Sequence, residues 1–466
     1  MINKMNNYYI IHSKPSCTII SGVFMQNRID AQFYSSKYLV KGKVEFDNGL
    51  DYIRLGELGS NFSYGTPPYG HICDEGVPYL RIPDIEDDFF LSNSNLAFID
   101  KEYHMKNIKN EVKAGDILFR IKGQLGQALV VPQKLSNSHT GSSFLRFTPK
   151  SINPYFLVCY LNSSFGRNQI NRKQSNSIIQ YLNMDDITSI RVPIPSPEIQ
   201  EYIGDKVRKA EELREEAKRL KKEAEEILNK ELNLKDVEFY IKQTNNKKYS
   251  WTESIEIEDR IDSEFYKPKY RYLSKLNNMS ELSYYYKISK KRINKNIDRK
   301  IKYIDLSSVN NIIEPSDFNT KELPSRAQFL VKEGNLIIST LKGSNKISII
   351  PEHLNDSVCS TGFIVIASKS HLTTEYLYLV FSNKVFNMQI ERYSTGSIMS
   401  GVNHDNFNKM LIPVISNKQI IDTITNKIRK HFRLLYYSKQ LIQEAKQDVE
   451  DLIEGNFDMS KVKANN

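Results

Sequence analysis

The sequence predicts an α+β protein: two tandem domains of mixed α/β character, separated and followed by long helices that pair as an antiparallel coiled coil, in a pseudo-two-fold repeat. Two observations predict this fold class. The chain repeats its own sequence in the same order, and each copy ends in a long heptad pattern. At 466 residues, with 40% hydrophobic and 26% charged residues, the chain is long enough for roughly three domains of average size.

The repeat begins with RIDAQFYSSKY at residues 28–38, which returns as RIDSEFYKPKY at 260–270, 232 positions later. Two later matches pair a stretch of the first copy with one of the second: VPYLRIPDI (77–85) with IKYIDLSSV (301–309), and VKAGDILFRIKGQLGQALVVP (112–132) with VKEGNLIISTLKGSNKISIIP (331–351). Both matches predict strands, and Val-Lys-x-Gly predicts a tight turn before the second of them. The offset falls to 219 because surface loops tolerate insertions, so the sequence predicts a duplicated domain.

Each copy closes with a predicted helix whose apolar residues recur every seven positions. The seam positions of the first helix are Ile203, Ala210, Ala217 and Ala224, and Leu213, Leu220, Ile227 and Leu234. Those of the second are Ile421, Ile428, Leu435, Ile442 and Val449, and Ile424, His431, Ser438, Ala445 and Leu452. Alanines on one helix opposite large aliphatic residues on the other allow close contact, so we expect the helices to pair with each other. A helix of this length spans about 50 Å.

Net charge and cysteine content restrict the class of protein. The net charge of +10 favours a polyanionic partner such as nucleic acid, although this surplus alone is a weak indication. Four cysteines without a C-x-x-C pair fit a reducing compartment and indicate no metal site. The sequence shows neither a membrane span nor a signal peptide, which predicts a cytoplasmic protein.

The order of these elements resembles the specificity subunits of type I restriction-modification systems. The resemblance covers nearly the whole chain and is carried by YGTPPYG, VPYLRIPDI and KAGDILFRIKGQLGQALVVP in the first copy, and by YIDLSSV, LPSRAQFLVKEGNLIISTLKG, STGFIVI and IPVISNKQIIDTITNKI in the second. It implies that each copy is a target recognition domain for one half of a bipartite DNA site, with the helices setting the gap. Because the copies differ, the site should be asymmetric.

The same resemblance implies the partners and cofactors. Methyltransferase subunits, expected to be two, would dock on the helical region, and restriction and translocase subunits would join them. S-adenosylmethionine, ATP and magnesium would belong to those partners, so this chain is expected to need no cofactor and to be no enzyme.

The repeat and the resemblance together divide the chain. The expected segments are an N-terminal segment near the second long helix (1–44), target recognition domain 1 (45–196), spacer helix 1 (197–235), a linker with the repeated N-terminal phrase (236–269), target recognition domain 2 (270–416), spacer helix 2 (417–455) and a flexible tail (456–466).

One fragment, TPPYG at 66–70, suggests chemistry, because adenine-N6 methyltransferases hold a flipped adenine with Asp, Asn or Ser before Pro-Pro-aromatic. Thr66 is a poor substitute, and no two glycines stand two positions apart, so the sequence lacks the G-x-G of a nucleotide loop. We therefore expect Pro67 and Pro68 to form a turn between strands. Two alternatives stay open: a self-sufficient methyltransferase, and a tandem DNA-binding protein of another defence or regulatory assembly.

Candidate DNA contacts are cations and small polar residues on predicted loops, since cations bind phosphates and polar side chains reach base edges. In the first copy they are Tyr64, Thr66, Arg81, Arg120, Lys122, Gln124, Arg167, Arg172, Lys173 and Ser177. In the second they are Lys290, Lys291, Arg292, Lys295, Arg326, Lys342, Ser344, Lys346, Arg392, Ser394, Thr395 and Ser397. Arg81 and Arg326 could each hold a buried carboxylate instead.

The repeated phrase itself is predicted to be structural. Phe33 and Tyr34, like Phe265 and Tyr266, are expected to pack a helix against its domain. Arg260 and Asp262 are expected to form a local ion pair, as are Arg28 and Asp30.

Overall fold

A computed structural model describes the protein in residues 2–5, 8–11, 17–20, 33–35, 49–87, 89–92, 96–174, 181–244, 251, 257, 260–276, 278–396 and 400–463. The chain divides into two compact units. The first unit comprises Met1–Glu212 and Ser438–Asn466, and the second comprises Leu213–Tyr437. None of the helices in these described ranges is both long and apolar enough to cross a lipid bilayer.

In its described residues, the first unit contains three β-sheets of three or four strands and two shorter strand pairs. Its strands are β1 (Ile2–Met5), β2 (Tyr8–Ile11), β3 (Cys17–Ile20), β4 (Asp51–Arg54), β5 (Gly59–Tyr64), β6 (Ile72–Cys73), β7 (Val77–Leu80), β8 (Ile85–Asp87), β9 (Phe90–Leu91), β10 (Ala97–Ile99), β11 (Ile117–Arg120), β12 (Ala128–Val130), β13 (His139–Thr140), β14 (Phe144–Pro149) and β15 (Arg191–Ile194). The sheet orders are β1-β2-β3, β13-β7-β10-β6, β12-β11-β14-β5, β15-β4 and β8-β9.

Short helices and one long helix accompany these strands. They are α1 (Leu55–Leu58), α2 (Lys101–Lys106), α3 (Pro154–Asn162), α4 (Ser164–Lys173), α5 (Met184–Thr188) and α6 (Pro197–Glu231), of which α6 continues into the second unit. The core gathers on the sheet that contains β11, where Phe119, Phe144 and Phe147 are fully buried. Helix α3 packs there because Phe156–Asn162 are all buried, and Asn153 caps its first turn.

The second unit repeats this architecture. Its elements are α7 (Leu234–Thr244), β16 (Met279–Glu281), α8 (Leu282–Tyr285), β17 (Tyr286–Ile288), β18 (Lys300–Ile304), β19 (Ser316–Asn319), β20 (Ala327–Leu330), β21 (Leu336–Ser339), β22 (Ile347–Ile349), β23 (Val358–Ser360), β24 (Phe363–Ser368), α9 (Thr374–Ser382), α10 (Lys384–Tyr393), α11 (His404–Asn408), β25 (Leu411–Pro413) and α12 (Lys418–Glu454). The sheet orders are β19-β18-β23-β20, β17-β24-β21-β22 and β16-β25. Helix α12 continues into the first unit, which ends with α13 (Ser460–Lys463).

The repeat holds at the level of strand register. In the first unit Tyr79 pairs with His139 in parallel strands, and in the second unit Tyr303 pairs with Val358. These partners are separated by the sequence offsets of 224 and 219 that the repeat predicts. The same tight turn precedes β11 and β21, since Gly115 has φ +84° and Gly334 has φ +74°, which favour glycine. The predicted fold class, including the duplication, is confirmed.

The long helices pair antiparallel within each unit. In the first unit Lys206 lies 2.6 Å from the Asp448 carboxylate, and the Ser438 hydroxyl donates to the Ala210 carbonyl at 2.8 Å. In the second unit the His431 ring is bonded to the Ala217 carbonyl at 2.8 Å, and Lys427 bonds Glu223. Residues nearer the start of α6 contact residues nearer the end of α12. This is the antiparallel arrangement that the sequence predicted.

The seam of the first helix differs in part from its prediction. All predicted seam positions of α12 are buried, as are Ile203, Ala210, Ala217 and Ala224 of α6. The other predicted positions of α6 are mixed: Leu220 is buried, but Leu213 and Ile227 are only half-buried. Two buried residues next to the alanines, Arg214 and Leu228, each lie one residue after a predicted position, and Val207 is buried as well. Arg214 was not predicted because arginine is not an apolar residue type, although its methylene stem can be buried.

The repeated phrase packs against an arginine at the end of the same helix in both copies. The Arg172 guanidinium donates to the Phe33 carbonyl at 2.8 Å and lies 3.9 Å from the centre of the Phe33 ring. Arg392 repeats both contacts on Phe265, at 3.2 Å and 4.1 Å. The phrase is therefore structural, as predicted, although its partner is α4 or α10. Arg260 and Asp262 form the expected ion pair at 2.7 Å, whereas Arg28 and Asp30 lie outside the described residues.

Replacing Arg392 by alanine should lower the free energy of unfolding by about 2 kcal/mol, because the Phe265 carbonyl loses its donor and the buried ring loses its cation–π partner. Urea unfolding of the full chain measures this. The control is Arg326→Ala, an exposed arginine of the same unit, which should change the free energy by about 0.5 kcal/mol or less. Equal effects of the two substitutions would contradict the structural role of Arg392.

His431 should make the stability of the helix pair depend on pH. The ring is 6% exposed and, because a carbonyl only accepts, its Nδ1 carries the proton that is donated to Ala217. Burial lowers the pKa of His431 to about 4, the Ala217 hydrogen bond opposes this shift, and the charge of Lys221 adds to it. Since the pKa in the unfolded chain is about 6.5, the unfolded state binds the proton more tightly. Stability is full above pH 6.5 and is lost as the pH falls toward 4.

Between pH 7.5 and pH 5 this one group should cost about 2 kcal/mol of unfolding free energy. Urea unfolding of the wild type and of His431→Asn at both pH values isolates the term, because the asparagine keeps a donor but does not titrate. His371→Asn, at an exposed position, controls for the loss of a histidine. The idea fails if the wild type and His431→Asn lose the same stability on acidification.

Candidate nucleic-acid interface

The densest basic run lies on an exposed surface of the second unit beside the edge strand β20. Leu330 N–H donates to the Lys291 carbonyl at 2.8 Å, and Ile293 N–H donates to the Gln328 carbonyl at 2.9 Å, so the run follows β20. The Lys295 ammonium donates to the Pro324 carbonyl at 2.9 Å. These bonds bring five predicted site residues together beside β20, and we call them the basic cluster: Lys290, Lys291, Arg292, Lys295 and Arg326. All are exposed except the half-buried Lys295.

A second set of predicted residues meets where two loops of the second unit are bridged. Lys342 N–H donates to the Ser400 carbonyl at 3.0 Å, and Thr395 exchanges two backbone hydrogen bonds with Gly401, at 2.9 and 3.0 Å. Lys342, Ser344 and Thr395 are thereby close in space. Two other predicted residues bond to groups of the same unit. The Ser394 hydroxyl donates to the Ile390 carbonyl at 2.6 Å, and the Lys346 ammonium donates to the Asn310 side-chain oxygen at 2.5 Å.

The first unit repeats this bridge between loops. Lys122 pairs with Tyr181 as Leu341 pairs with Gly401 in the second unit. Lys122 and Gln124 are exposed on their loop, which turns through Gly123 at φ +73°. Two arginine side chains stabilise the loop through its backbone carbonyls. Arg167 donates to the Leu125 carbonyl at 2.8 Å, and Arg120 donates to the Lys122 carbonyl at 2.9 Å. Lys122 and Gln124 are therefore presented by the loop, whereas Arg120 and Arg167 hold it.

Other predicted cations of the first unit are used within the protein. Arg81 binds the buried carboxylate of Asp84 through its side chain at 3.1 Å, so the structural alternative stated for this arginine is correct. Lys173 donates to the Ser189 hydroxyl at 2.8 Å. With the packing of Arg172 and Arg392 on the repeated phrase, these contacts give four of the predicted residues a structural role within the protein. Ser177 and Ser397 lie outside the described residues.

The TPPYG fragment forms a loop whose base is held by buried polar groups. The Thr66 hydroxyl is 3.1 Å from His139 Nε2 and accepts from Asn110 at 2.9 Å. The Tyr103 hydroxyl donates to the Pro67 carbonyl at 2.5 Å, and His71 N–H donates to the Pro68 carbonyl at 2.8 Å. Pro67 and Pro68 thus form the expected turn between strands. Thr66 is engaged in folding the loop, which leaves it poorly placed to hold a flipped base.

The histidines under this loop form a directional chain. His104 Nε2 lies 3.2 Å from the Glu111 carboxylate, and His104 Nδ1 lies 3.2 Å from His139 Nδ1. When both rings are neutral, His104 donates to Glu111, His139 donates to His104, and His139 Nε2 accepts from Thr66. Burial, with a smaller contribution from His104, lowers the pKa of His139 to about 4. The His139 ring is therefore neutral near pH 7, and its Nε2 orients the Thr66 hydroxyl by accepting a hydrogen bond from it.

The sequence reasoning missed Tyr69 as a surface feature. Its side chain is 78% exposed at the tip of the TPPYG loop, while Tyr64, the predicted residue at the start of the loop, is 40% exposed. The signal was the Tyr-Gly pair itself, since glycine marks a turn and the neighbouring aromatic residue must then lie at its tip. Within the described ranges, no group of three or more His, Cys, Asp or Glu side chains is arranged to hold a metal ion.

Comparison with known proteins identifies part of the chain. Residues 48–226 match the family described as type I restriction modification DNA specificity domain. No curated protein sequence matches the chain.

Solved structures to which the chain is similar include the S subunit of a type I restriction-modification system from M. genitalium, at 14% identity and a TM-score of 0.45 over 90% of this chain and 98% of that chain. The HsdS subunit from Thermoanaerobacter tengcongensis gives 14% identity and a TM-score of 0.32 over 90% and 100% of the two chains. The family match agrees with the resemblance carried by YGTPPYG and VPYLRIPDI: residues 48–226 are similar to the DNA specificity domains of type I restriction-modification systems.

Proposed function

We propose that this chain is the non-catalytic DNA-recognition subunit of a type I restriction-modification assembly, with one specificity domain in each unit. The observation that carries this proposal is the repeated register. The second unit pairs Tyr303 with Val358 and Leu336 with Ile366 as the first unit pairs Tyr79 with His139 and Ile117 with Phe147. Because residues 48–226 match the specificity family and the second unit repeats their register, we infer that the second unit contains a second domain of the same kind.

Each domain then reads one half of a split DNA site, and the exposed groups support this role. The basic cluster offers four exposed cations beside one strand edge, an arrangement suited to consecutive phosphates. Lys342 and Thr395 in the second unit, and Lys122 and Gln124 in the first, stand on bridged loops and can reach base edges. Tyr64 and Thr66 border the loop that carries Tyr69.

The two half-sites should differ in sequence. The segments 65–76 of the first unit and 289–299 of the second are equivalent in the order of elements, since each connects the strand that pairs with β14 or β24 to β7 or β18. The first contains Asp74 and Glu75, whereas the second contains Lys290, Lys291, Arg292 and Lys295 of the basic cluster. Surfaces of such different charge contact different groups, which favours an asymmetric target.

The assembly would be completed by partner subunits in the cytoplasm. We propose that two methyltransferase subunits bind along the paired helices and that restriction and translocase subunits join them. S-adenosylmethionine, ATP and magnesium would be held by these partners, and the chain itself would contribute binding alone. Partner exchange would then leave the recognised sequence unchanged.

Exchanging residues 45–196 for the corresponding domain of a relative should change one half of the methylated motif and leave the other half unchanged, since each half is read by a separate domain. Adenine methylation mapped in cells that express the chain with its neighbouring methyltransferase measures this. The control is the matching exchange of residues 270–416, which should change only the other half. A change in both halves after either exchange, or a motif independent of this chain, would refute the proposal.

Neutralising Lys290, Lys291 and Arg292 together to glutamine should weaken DNA binding without altering base preference. If each contacts a phosphate, the slope of log K against log salt falls in magnitude by up to about 3. Fluorescence anisotropy over a salt series measures the slope. Neutralising Lys222, Lys230 and Lys418, exposed on the long helices, removes the same charge and should leave most of the slope. A changed base preference would show that the run reads bases.

A further inference from the structure

The tip of the TPPYG loop has a backbone that its sequence does not favour. Tyr69 has φ +39° and Gly70 has φ +86°, and the His71 N–H closes the turn on the Pro68 carbonyl at 2.8 Å. A tight turn with two left-handed central residues prefers Asn or Asp followed by Gly. A bulky aromatic residue in the left-handed region is an outlier that the rest of the structure must stabilise.

This unfavourable conformation is not compensated by burial of the tyrosine ring. Tyr69 is 78% exposed, so its aromatic surface contributes little to folding. An asparagine at this position would relieve the backbone and leave the core unchanged. Neither backbone preference nor burial accounts for a tyrosine at this position, which indicates a contact with a partner outside this chain.

The loop below the tip is held rigidly, which prepares the ring for a partner. Thr66 and the Pro67 carbonyl are fixed by Asn110, His139 and Tyr103, and the Tyr79 hydroxyl donates to the Thr66 carbonyl at 3.1 Å.

Two neighbours of these residues make the base tighter still. His71 bonds Asp100 at 2.8 Å and stacks on Tyr103 at 4.4 Å, while a Cβ at Gly65 would lie 2.2 Å from the Gly141 carbonyl oxygen. A ring carried on such a base loses little conformational freedom when it binds.

The position of the loop indicates which partner the ring meets. The segment of the second unit that is equivalent in chain order, after β17 as this loop is after β5, carries Lys290, Lys291 and Arg292, which are suited to a polyanion. If the two domains present equivalent loops to DNA, the first offers an aromatic face where the second offers cations. Aromatic side chains contact DNA by stacking on bases or by inserting at a base step.

We propose that Tyr69 is a base-contacting residue of the first specificity domain, which places its ring against the bases of that domain's half-site. This inference rests on the proposed function, because it takes DNA as the partner. A protein surface on a neighbouring subunit is the competing partner, and the experiment separates the two.

The test uses the full chain co-purified with its methyltransferase subunits and duplex DNA carrying the mapped motif. Tyr69→Ala should weaken binding to the intact motif roughly 10- to 100-fold. It should leave binding unchanged when the half read by residues 45–196 is scrambled. Tyr69→Phe should retain most of the affinity, and Tyr284→Ala, which removes another tyrosine that is 70% exposed, should retain all of it.

A second variant keeps the test independent of folding. Tyr69→Asn should raise the thermal unfolding midpoint, because asparagine tolerates the left-handed backbone, and should still weaken binding as Tyr69→Ala does. Stability and affinity then move in opposite directions, which a structural role of Tyr69 does not produce.

Three outcomes would overturn the inference. Equal affinity of the wild type and Tyr69→Ala for the intact motif would overturn it and leave the proposed function standing. Loss of methyltransferase subunits from the Tyr69→Ala complex would do the same, because the ring would then be a protein contact. A wild-type complex without preference for any half-site would overturn the proposed function and the inference with it.

Discussion

The close approach of the two long helices is the constraint on which each unit depends. Ala210 in the first unit and Ala217 in the second have carbonyls that accept hydrogen bonds from side chains of the opposite helix, Ser438 and His431. Such bonds require short distances between the helices, which small side chains permit. Contacts between side chains attach the domains to the paired helices. In the second unit, for example, Glu375 of α9 forms an ion pair with Arg429 of α12.

Both copies of the duplicated domain retain the structural features that their cores require. The strand registers, the glycine turns at Gly115 and Gly334, and the arginine contacts on Phe33 and Phe265 are the same in both copies. These features either bury apolar surface or satisfy backbone groups, so a change in one copy would cost stability. The loops between them meet no such requirement and have diverged in charge and in aromatic content.

The cationic residues divide in the same way, into arginines with structural contacts and cations on exposed loops. Arg81, Arg167, Arg172 and Arg392 each bond to a carboxylate, a carbonyl or a ring of their own unit. The cations of the basic cluster instead lie along an exposed strand edge. A planar guanidinium with several donors suits both tasks, so its residue type alone does not separate them.

The sequence determined the duplication, the fold class and the helical seam of α12, because periodicity and repetition are properties of residue order alone. It predicted the turn at Pro67 and Pro68 for the same reason. Only the tertiary structure decided which cations are exposed, that Arg214 occupies a seam position, and that Tyr69 stands on a left-handed turn above a buried histidine chain. Those facts depend on residues such as Asn110 and His139, which are distant in sequence from Thr66 and meet it only after folding.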